Sequence, residues 1–217
     1  MKQKAFTMLE LVLVIVVLGI LAALSIPRLD RDLKQEAADN ILSAIRYTQH
    51  LALLDDKQKF DNAQWQRRWW RIVFGTCTGT DHYYMVGADD NMTGSTNGYF
   101  SQEEAAIDPA NSKTMFWTNG ADCSNGGDSS SSENIFISKK FGITTIQPSG
   151  GCSNLYIGFD HLGRPYASNF VNSTQPDYSG LLNSTCTFTF TLTDGDTFGI
   201  SIQSHTGYAQ IVGQPDS

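Results

Sequence analysis

Two helical patterns follow one another along the N-terminal quarter of the chain. Residues 11–26 contain no charged side chain, and residues 6–26 would form a helix of about 31 Å, close to the roughly 30 Å of a membrane core. We predict that this helix continues to Leu54 with a single apolar face, because apolar residues then recur at steps of three and four. On that face lie Leu29, Leu33, Ala37, Ile41, Ala44 or Ile45, Thr48 and Ala52.

After a polar connection at residues 55–66, the pattern becomes that of β-structure. Residues 187–193 alternate strictly between threonine and apolar side chains, and Asp194-Gly195-Asp196 is a hairpin turn signal. Residues 120–133 include four consecutive serines and are typical of an exposed loop. We predict strands at residues 71–75, 83–86, 135–137, 143–146, 155–159, 185–193, 197–203 and 208–212. The expected fold class is α+β, with the amphipathic half of the helix packed on antiparallel β-sheet.

Composition excludes several classes of protein. The 217 residues are 41% hydrophobic and 17% charged, with 15 Lys and Arg against 22 Asp and Glu, a net charge of −7. A chain of this kind is neither a highly charged disordered protein nor a basic nucleic-acid binder. Nineteen glycines and six prolines without a three-residue period exclude a collagen-like protein.

Glu10 is the only charged residue between Phe6 and Ile26. A carboxylate within a membrane helix costs about 2–3 kcal/mol to insert, so such a residue points to a function with a specific partner. The alternative is a position at the headgroup boundary, where the cost is small. The residues around Glu10 favour the functional interpretation.

The segment Lys4-Ala5-Phe6-Thr7-Met8-Leu9-Glu10-Leu11 resembles the processing site of type IV prepilins and pseudopilins. In that family a prepilin peptidase cuts a short basic leader before a Phe and methylates the new amine, and the fifth mature residue is Glu. The resemblance implies cleavage between Ala5, which replaces the usual Gly, and Phe6, with N-methylation of Phe6. It also implies that Glu10 acts in subunit assembly by pairing with the Phe6 amine of a neighbour. Pro27 would be the twenty-second mature residue, where the family commonly has Pro.

This resemblance implies a division of the chain and a location. We expect a leader at 1–5, a transmembrane and filament-core helix at 6–27, an amphipathic half at 28–54 and a β-rich globular domain at 55–217. Lysines in the leader place the N-terminus in the cytoplasm by the positive-inside rule, so the protein would be a single-pass inner-membrane protein with a periplasmic domain. After assembly it would lie in a periplasmic or cell-surface filament. The implied partners are the prepilin peptidase, other pilin or pseudopilin subunits, the inner-membrane assembly platform and the membrane itself.

A second resemblance lies in the C-terminal half. Residues 157–165, which include Phe159-Asp160 and Gly163-Arg164-Pro165, are similar to a turn in H-type minor pseudopilins of type II secretion and in related minor pilins. The implied function is a structural subunit, a minor pseudopilin or minor pilin, with a major pilin and a DNA-binding minor pilin for transformation as alternatives. DNA-binding members use a basic C-terminal motif, whereas residues 206–217 contain no Lys or Arg. We therefore expect no nucleic-acid partner.

Residues 65–71, Trp-Gln-Arg-Arg-Trp-Trp-Arg, are the other candidate nucleic-acid site. Aromatic and arginine side chains can stack on bases and contact phosphates. We favour a structural interpretation, in which the tryptophans cover the end of the helix while the arginines face solvent. Without Lys2 and Lys4 of the implied leader, 13 basic and 22 acidic side chains give a charge of −9, which repels polyanions overall, although a local basic patch could survive that repulsion.

No pattern of catalytic residues is present. The four histidines lack metal-ligand spacing, and neither HExxH nor GxSxG occurs, so we predict that the protein is not an enzyme and has no cofactor. Asp89-Asp90-Asn91 or Asp194-Gly195-Asp196 could contribute to a Ca²⁺ site, because hard carboxylates suit that ion, but solvated turns are the favoured interpretation.

Four cysteines follow the predicted membrane helix, on the side of the membrane where disulfides persist. They allow three pairings, and none of them forms a CxxC zinc motif. Cys152 precedes one predicted strand and Cys186 lies in the next, and we expect these two strands to be neighbours in one sheet. Cys77 follows the first strand, and Cys123 lies in the Gly/Ser-rich loop. We therefore favour the disulfides Cys77–Cys123 and Cys152–Cys186.

Overall fold

One long helix precedes a body built from two antiparallel sheets, which confirms the α+β fold class. The computed structural model describes residues 8–59, 61–94, 99–171 and 173–214, with the backbone alone for residues 22–32. Helix α1 spans Met8–Leu54 and ends at the predicted residue. The strands are β1 (Arg71–Thr76), β2 (His82–Gly87), β3 (Ile143–Gly150), β4 (Tyr156–Phe159), β5 (Pro165–Tyr166), β6 (Cys186–Leu192), β7 (Thr197–Ile202) and β8 (Ala209–Ile211).

Each sheet pairs strands that are not consecutive in the chain. The first sheet has the order β2-β1-β4-β5, and the second has the order β3-β6-β7-β8. In β6, Phe188, Phe190 and Leu192 are buried while the threonines between them are half-exposed, as the alternation predicts. The rings of Phe74 in β1 and Phe188 in β6 lie 5.2 Å apart, so aromatic packing joins the two sheets.

The amphipathic half of α1 supplies the helical side of this core. Its buried side chains include Ala37, Ile41, Ile45, Thr48 and Ala52, which follow the predicted stripe. Leu33 was expected on the same stripe but is 42% exposed, and among the described side chains of the stripe the first buried one is Ala37.

The predicted strand at residues 135–137 is wrong. This segment forms a 3-10 helix, Glu133–Ile135, followed by a short helix α2, Ile137–Phe141. The hydroxyl of Ser132 accepts a hydrogen bond from the backbone N–H of Asn134, which starts the first turn. Gly142, in the left-handed conformation with φ 73°, ends α2. Apolar residues in a short run can thus be buried on helical turns as well as on a strand.

The four-serine segment was expected to be exposed, and half of it is not. Ser131 and Ser132 are buried. Ser132 donates to the buried carboxylate of Asp108 at 2.5 Å, and Asn134 donates to the same carboxylate at 2.8 Å. A buried carboxylate requires donors, and small hydroxyl side chains provide them here.

The structure contains both favoured disulfides, Cys77–Cys123 and Cys152–Cys186. The reason given for the second was wrong, because the strand after Cys152, β4, belongs to the first sheet while Cys186 begins β6 in the second. The pair forms because β3 runs antiparallel to β6 with Gly150 opposite Cys186, and Cys152 lies two residues beyond the end of β3.

Candidate assembly helix and the turns that hold it

The first half of α1 is a continuous apolar surface. Every large apolar side chain from Met8 to Leu21 is between 46% and 87% exposed. Soluble monomers rarely expose contiguous apolar surface on this scale, so such a surface marks a site of association with protein or membrane. In the part of the chain that the structure describes, no helix is long and apolar enough to cross a membrane.

Glu10 lies within this surface, in the first turn of α1. The predicted cleavage site, Ala5 and Phe6, lies outside the described residues. The segment predicted to span the membrane, residues 6–27, begins outside them as well and stays a prediction.

Polar side chains on the second half of α1 bind the last hairpin of the body. The guanidinium group of Arg46 donates to the carbonyl oxygen of Ala209 at 2.8 Å and lies 5.7 Å from the centre of the Tyr208 ring. One turn later, the Gln49 amide donates to the carbonyl oxygens of Gly163 and Thr206, each at 2.8 Å. The helix is thereby fixed to two separate turns at once.

The turn of the Phe-Asp-x-x-Gly-Arg-Pro segment is organised by Asp160, whose side chain is fully buried. Its carboxylate accepts hydrogen bonds from the backbone N–H groups of Leu162 and Arg164 at 3.0 and 2.9 Å. It also accepts a charge-assisted bond from Arg164 Nε at 2.6 Å. The hydrogen bond to this carboxylate raises the pKa of Arg164 above its ordinary value. Sequence analysis identified the turn but not the role of Asp160.

Two glycines allow this turn to contact the C-terminal hairpin. Gly163 has φ 74°, which L-residues with a side chain rarely adopt. A Cβ atom on Gly207 would lie 2.4 Å from the carbonyl oxygen of Gly163 and 2.5 Å from Gln49 Nε2. The close approach of Gly207 thus leaves room for the Gln49 bridge, and the two turns form one contact with α1.

Residues 65–71, the Trp/Arg segment, do not have the solvent-facing arginines that both the nucleic-acid and the structural interpretation expected. Arg67 Nε lies 3.1 Å from the Asp89 carboxylate and Arg68 Nε lies 3.3 Å from that of Asp90. Arg71 is completely buried and donates to the carbonyl oxygens of Asn169 and Arg67. Burial lowers its pKa to about 10, although Asp89 opposes that shift. The expectation that these arginines face solvent was wrong, because each is drawn into an internal pairing.

The tryptophans divide between two places. Trp65 and Trp69 are buried with Tyr166 and Phe170 in a small aromatic cluster apart from the main core. Trp70 lies beside the residue that follows α1, where its indole N–H donates to Asp55 at 3.2 Å. The segment is therefore a packed structural unit.

The candidate Ca²⁺ ligands already have cationic or backbone partners. Asp89 pairs with an arginine, and Asp90 lies 2.6 Å from Lys57 Nζ. Asp194 accepts the backbone N–H of Asp196 at 2.8 Å, which closes the hairpin turn between β6 and β7. Within the described ranges, no group of three or more His, Cys, Asp or Glu residues could hold a metal ion.

Comparison with known proteins adds one positive finding. Residues 1–26 match the family described as the prokaryotic N-terminal methylation motif. Comparison with curated proteins and with solved structures found no match. The matched segment includes the exposed apolar first half of α1, and the second half of α1, which packs on the body, follows it. A motif of this kind indicates a subunit of the pilin or pseudopilin type.

Proposed function

We propose that the protein is a minor subunit of a type II secretion pseudopilus or of a related type IV pilus-like filament. The observation that carries this proposal is the exposed apolar half of α1, from Met8 to Leu21, which lies within the matched methylation motif at residues 1–26. A helix that is apolar all round is stable only when it is surrounded by lipid or by other helices. Storage in a membrane followed by bundling with equivalent helices satisfies this requirement in both states.

Cleavage before Phe6 would leave a positive amine four residues from Glu10 in the same chain. In a helix bundle, the amine of one subunit can pair with the Glu10 carboxylate of its neighbour, which lowers the cost of burying both charges. A single charged pair within an otherwise apolar surface also specifies the register between helices. We infer that Glu10 is the register residue of the filament.

The compartment proposed for the body is the periplasm. Two disulfides within the body suit an oxidising compartment, and the leader lysines orient the chain with its N-terminus in the cytoplasm. Partners in this location would be the prepilin peptidase, the inner-membrane assembly platform and neighbouring subunits.

A minor subunit of a secretion or related filament is favoured over a DNA-binding receptor pilin. Arg67, Arg68 and Arg71 are held by acidic side chains or by backbone carbonyl groups, which leaves them unsuited to phosphates. The contact among the Asp160 turn, the C-terminal hairpin and Gln49 supports a body like those of minor pseudopilins. A low abundance of this chain in sheared filaments would distinguish a minor from a major subunit.

The test replaces Glu10 with alanine in a host that assembles the filament. We expect Glu10→Ala to be cleaved and N-methylated at Phe6, as shown by mass spectrometry of the N-terminus, yet to be incorporated at least tenfold less into sheared filaments. Loss of the carboxylate leaves the neighbour's amine without its partner, whereas membrane insertion becomes easier.

The matched control is Glu103→Ala, which removes an exposed carboxylate from the body. This variant should assemble like the wild type. Normal incorporation of Glu10→Ala would refute the role of Glu10 in register. A mature chain that begins at Met1, or after Ser25, would refute processing as a prepilin.

A further inference from the structure

A cleft of about 480 Å³ is lined by residues of β1 and β2 in the first sheet and of β3 in the second. Its floor includes Tyr83 and Met85 of β2, and half-buried rings of Tyr99 and Tyr156 form part of its walls. Pockets of this volume commonly hold small organic ligands, with apolar walls and a few polar groups that set orientation. None of the described residues that line it belongs to α1.

Two of the residues that line the cleft, Tyr83 and Met85, lie on the face of the first sheet away from α1. Tyr84 Oη donates to Asn40 of α1, so the side chain of Tyr84 points toward the helix. Successive side chains in a strand point to opposite faces, which places Tyr83 and Met85 on the other face. If the helices form the filament core, as proposed, the cleft stays accessible after assembly.

Polar groups at the rim are held by the two disulfides. Asn119 lies four residues before Cys123, and the backbone N–H of Gly120 donates to Thr76 at the end of β1. On the opposite side, Ser153 and Asn154 follow Cys152 directly. The three side chains are exposed, and cross-links fix the segments that carry them. Preorganised polar groups favour binding because less conformational freedom is lost when the ligand arrives.

A buried hydroxyl without a partner lies at the floor of the cleft. Tyr83 is completely buried, and its hydroxyl makes no hydrogen bond. This oxygen lies over Gly75, another lining residue, 2.6 Å from where a Cβ atom of Gly75 would be. Buried tyrosine hydroxyls normally have a partner, so this donor indicates a hydrogen-bonding group that is supplied from outside the chain. Burial raises the pKa of Tyr83, and Tyr99 adds to the effect, so the phenol is a neutral donor at physiological pH.

We propose that this cleft binds a neutral saccharide unit. None of the described residues that line it is charged, which favours a ligand without formal charge. Tyrosine rings pack against the apolar C–H face of a sugar, while amide and hydroxyl side chains at the rim exchange hydrogen bonds with its hydroxyl groups. A sugar hydroxyl that reaches the floor provides the acceptor for Tyr83.

The test uses the full-length protein in a zwitterionic detergent, since sugar-based detergents would compete. The probes are N-acetylglucosamine, methyl β-glucoside and the charged sugar glucuronate, followed by saturation-transfer NMR. We expect the neutral sugars to bind with a Kd of about 1 mM, a value usual for ligands of this size. Tyr83→Phe should weaken binding about five- to tenfold, and Asn154→Ala should weaken it by a similar factor.

Tyr83→Phe is a favourable test variant because it removes a hydroxyl that has no partner in the free protein. Its Tm should equal or exceed that of the wild type, so lost binding will not reflect unfolding. The matched control is Tyr178→Phe, at an exposed tyrosine outside the cleft, which should bind sugar like the wild type.

Three outcomes would overturn the proposal. The first is the absence of saturation transfer from either neutral sugar at 50 mM, about 50 times the expected Kd. The second is full binding by Tyr83→Phe, or glucuronate binding as tight as that of the neutral sugars. The third is binding of a neutral unstructured peptide in place of sugars, which would assign the cleft to a protein partner. Because the assay uses isolated protein, its result is independent of filament assembly, and Tyr83→Phe should still be incorporated normally.

Discussion

Asp160→Asn tests whether the buried carboxylate holds the turn that contacts α1. Asparagine has the same shape, and its carbonyl oxygen can still accept the backbone N–H groups of Leu162 and Arg164, now bound to Asp160 Oδ1. Its NH₂ group would then occupy the position of Oδ2, which accepts from Arg164 Nε at 2.6 Å and from the Tyr166 hydroxyl at 3.4 Å. The N–H of Arg164 and the O–H of Tyr166 would then both face the NH₂ group, which is also a donor. This position is completely buried, so water cannot supply an acceptor.

The magnitude follows from the bond that is lost. A hydrogen bond to a charged group contributes about 1.5–3 kcal/mol. Arg164 is 36% exposed and can turn toward water, which places the expected loss in the lower part of that range, at about 2 kcal/mol. For a chain of 150–250 residues each kcal/mol shifts the Tm by roughly 2–4 °C, so Asp160→Asn should lower the Tm by about 4–8 °C.

The assay is thermal unfolding of full-length protein, followed by circular dichroism. The matched control is Asp194→Asn, because the exposed Asp194 accepts one backbone N–H at 2.8 Å and asparagine can accept the same bond. The control should change stability by less than about 0.5 kcal/mol. An unchanged Tm for Asp160→Asn, or an equal loss in both variants, would refute the assigned role of Asp160.

Three further predictions concern pH, cross-linking and nucleic acid. Burial raises the pKa of Glu104, but hydrogen bonds from backbone N–H groups and a serine hydroxyl outweigh it and lower that pKa below the ordinary 4.5. Stability from this carboxylate is present above pH 4.5 and is lost as the pH falls, so Glu104→Gln should lower the Tm at pH 7 and by much less at pH 3. Replacing Cys152 and Cys186 with serine together should cost about 4 kcal/mol in the chain-entropy model, measured by urea unfolding, since the cysteines are 34 residues apart. The full-length protein should bind duplex DNA weakly at physiological salt in fluorescence anisotropy; tight, salt-sensitive binding that is abolished by Arg67→Ala with Arg68→Ala would contradict the paired state of these arginines.

Local sequence patterns predicted the structure correctly where the environment of each residue depends on its neighbours in sequence. The spacing of apolar residues from Ala37 to Ala52 predicted the buried face of α1, because a helix repeats every 3.6 residues whatever it packs against. The alternation in β6 and the turn signal after it predicted the hairpin to β7 for the same reason. At residues 135–137 a short apolar run did not distinguish a strand from helical turns, since both bury such residues.

The sequence by itself determined the motif, the division of α1 into two halves and the fold class. Only the tertiary structure decided which long-range pairs form. It brought Gly150 opposite Cys186 across β3 and β6, where the sequence order of strands suggested a different neighbour. It also turned Arg71 inward, and it left the Tyr83 hydroxyl without a partner beneath a cleft. These features depend on how the two sheets pack, and contacts between residues far apart in the chain leave no periodic signal along it.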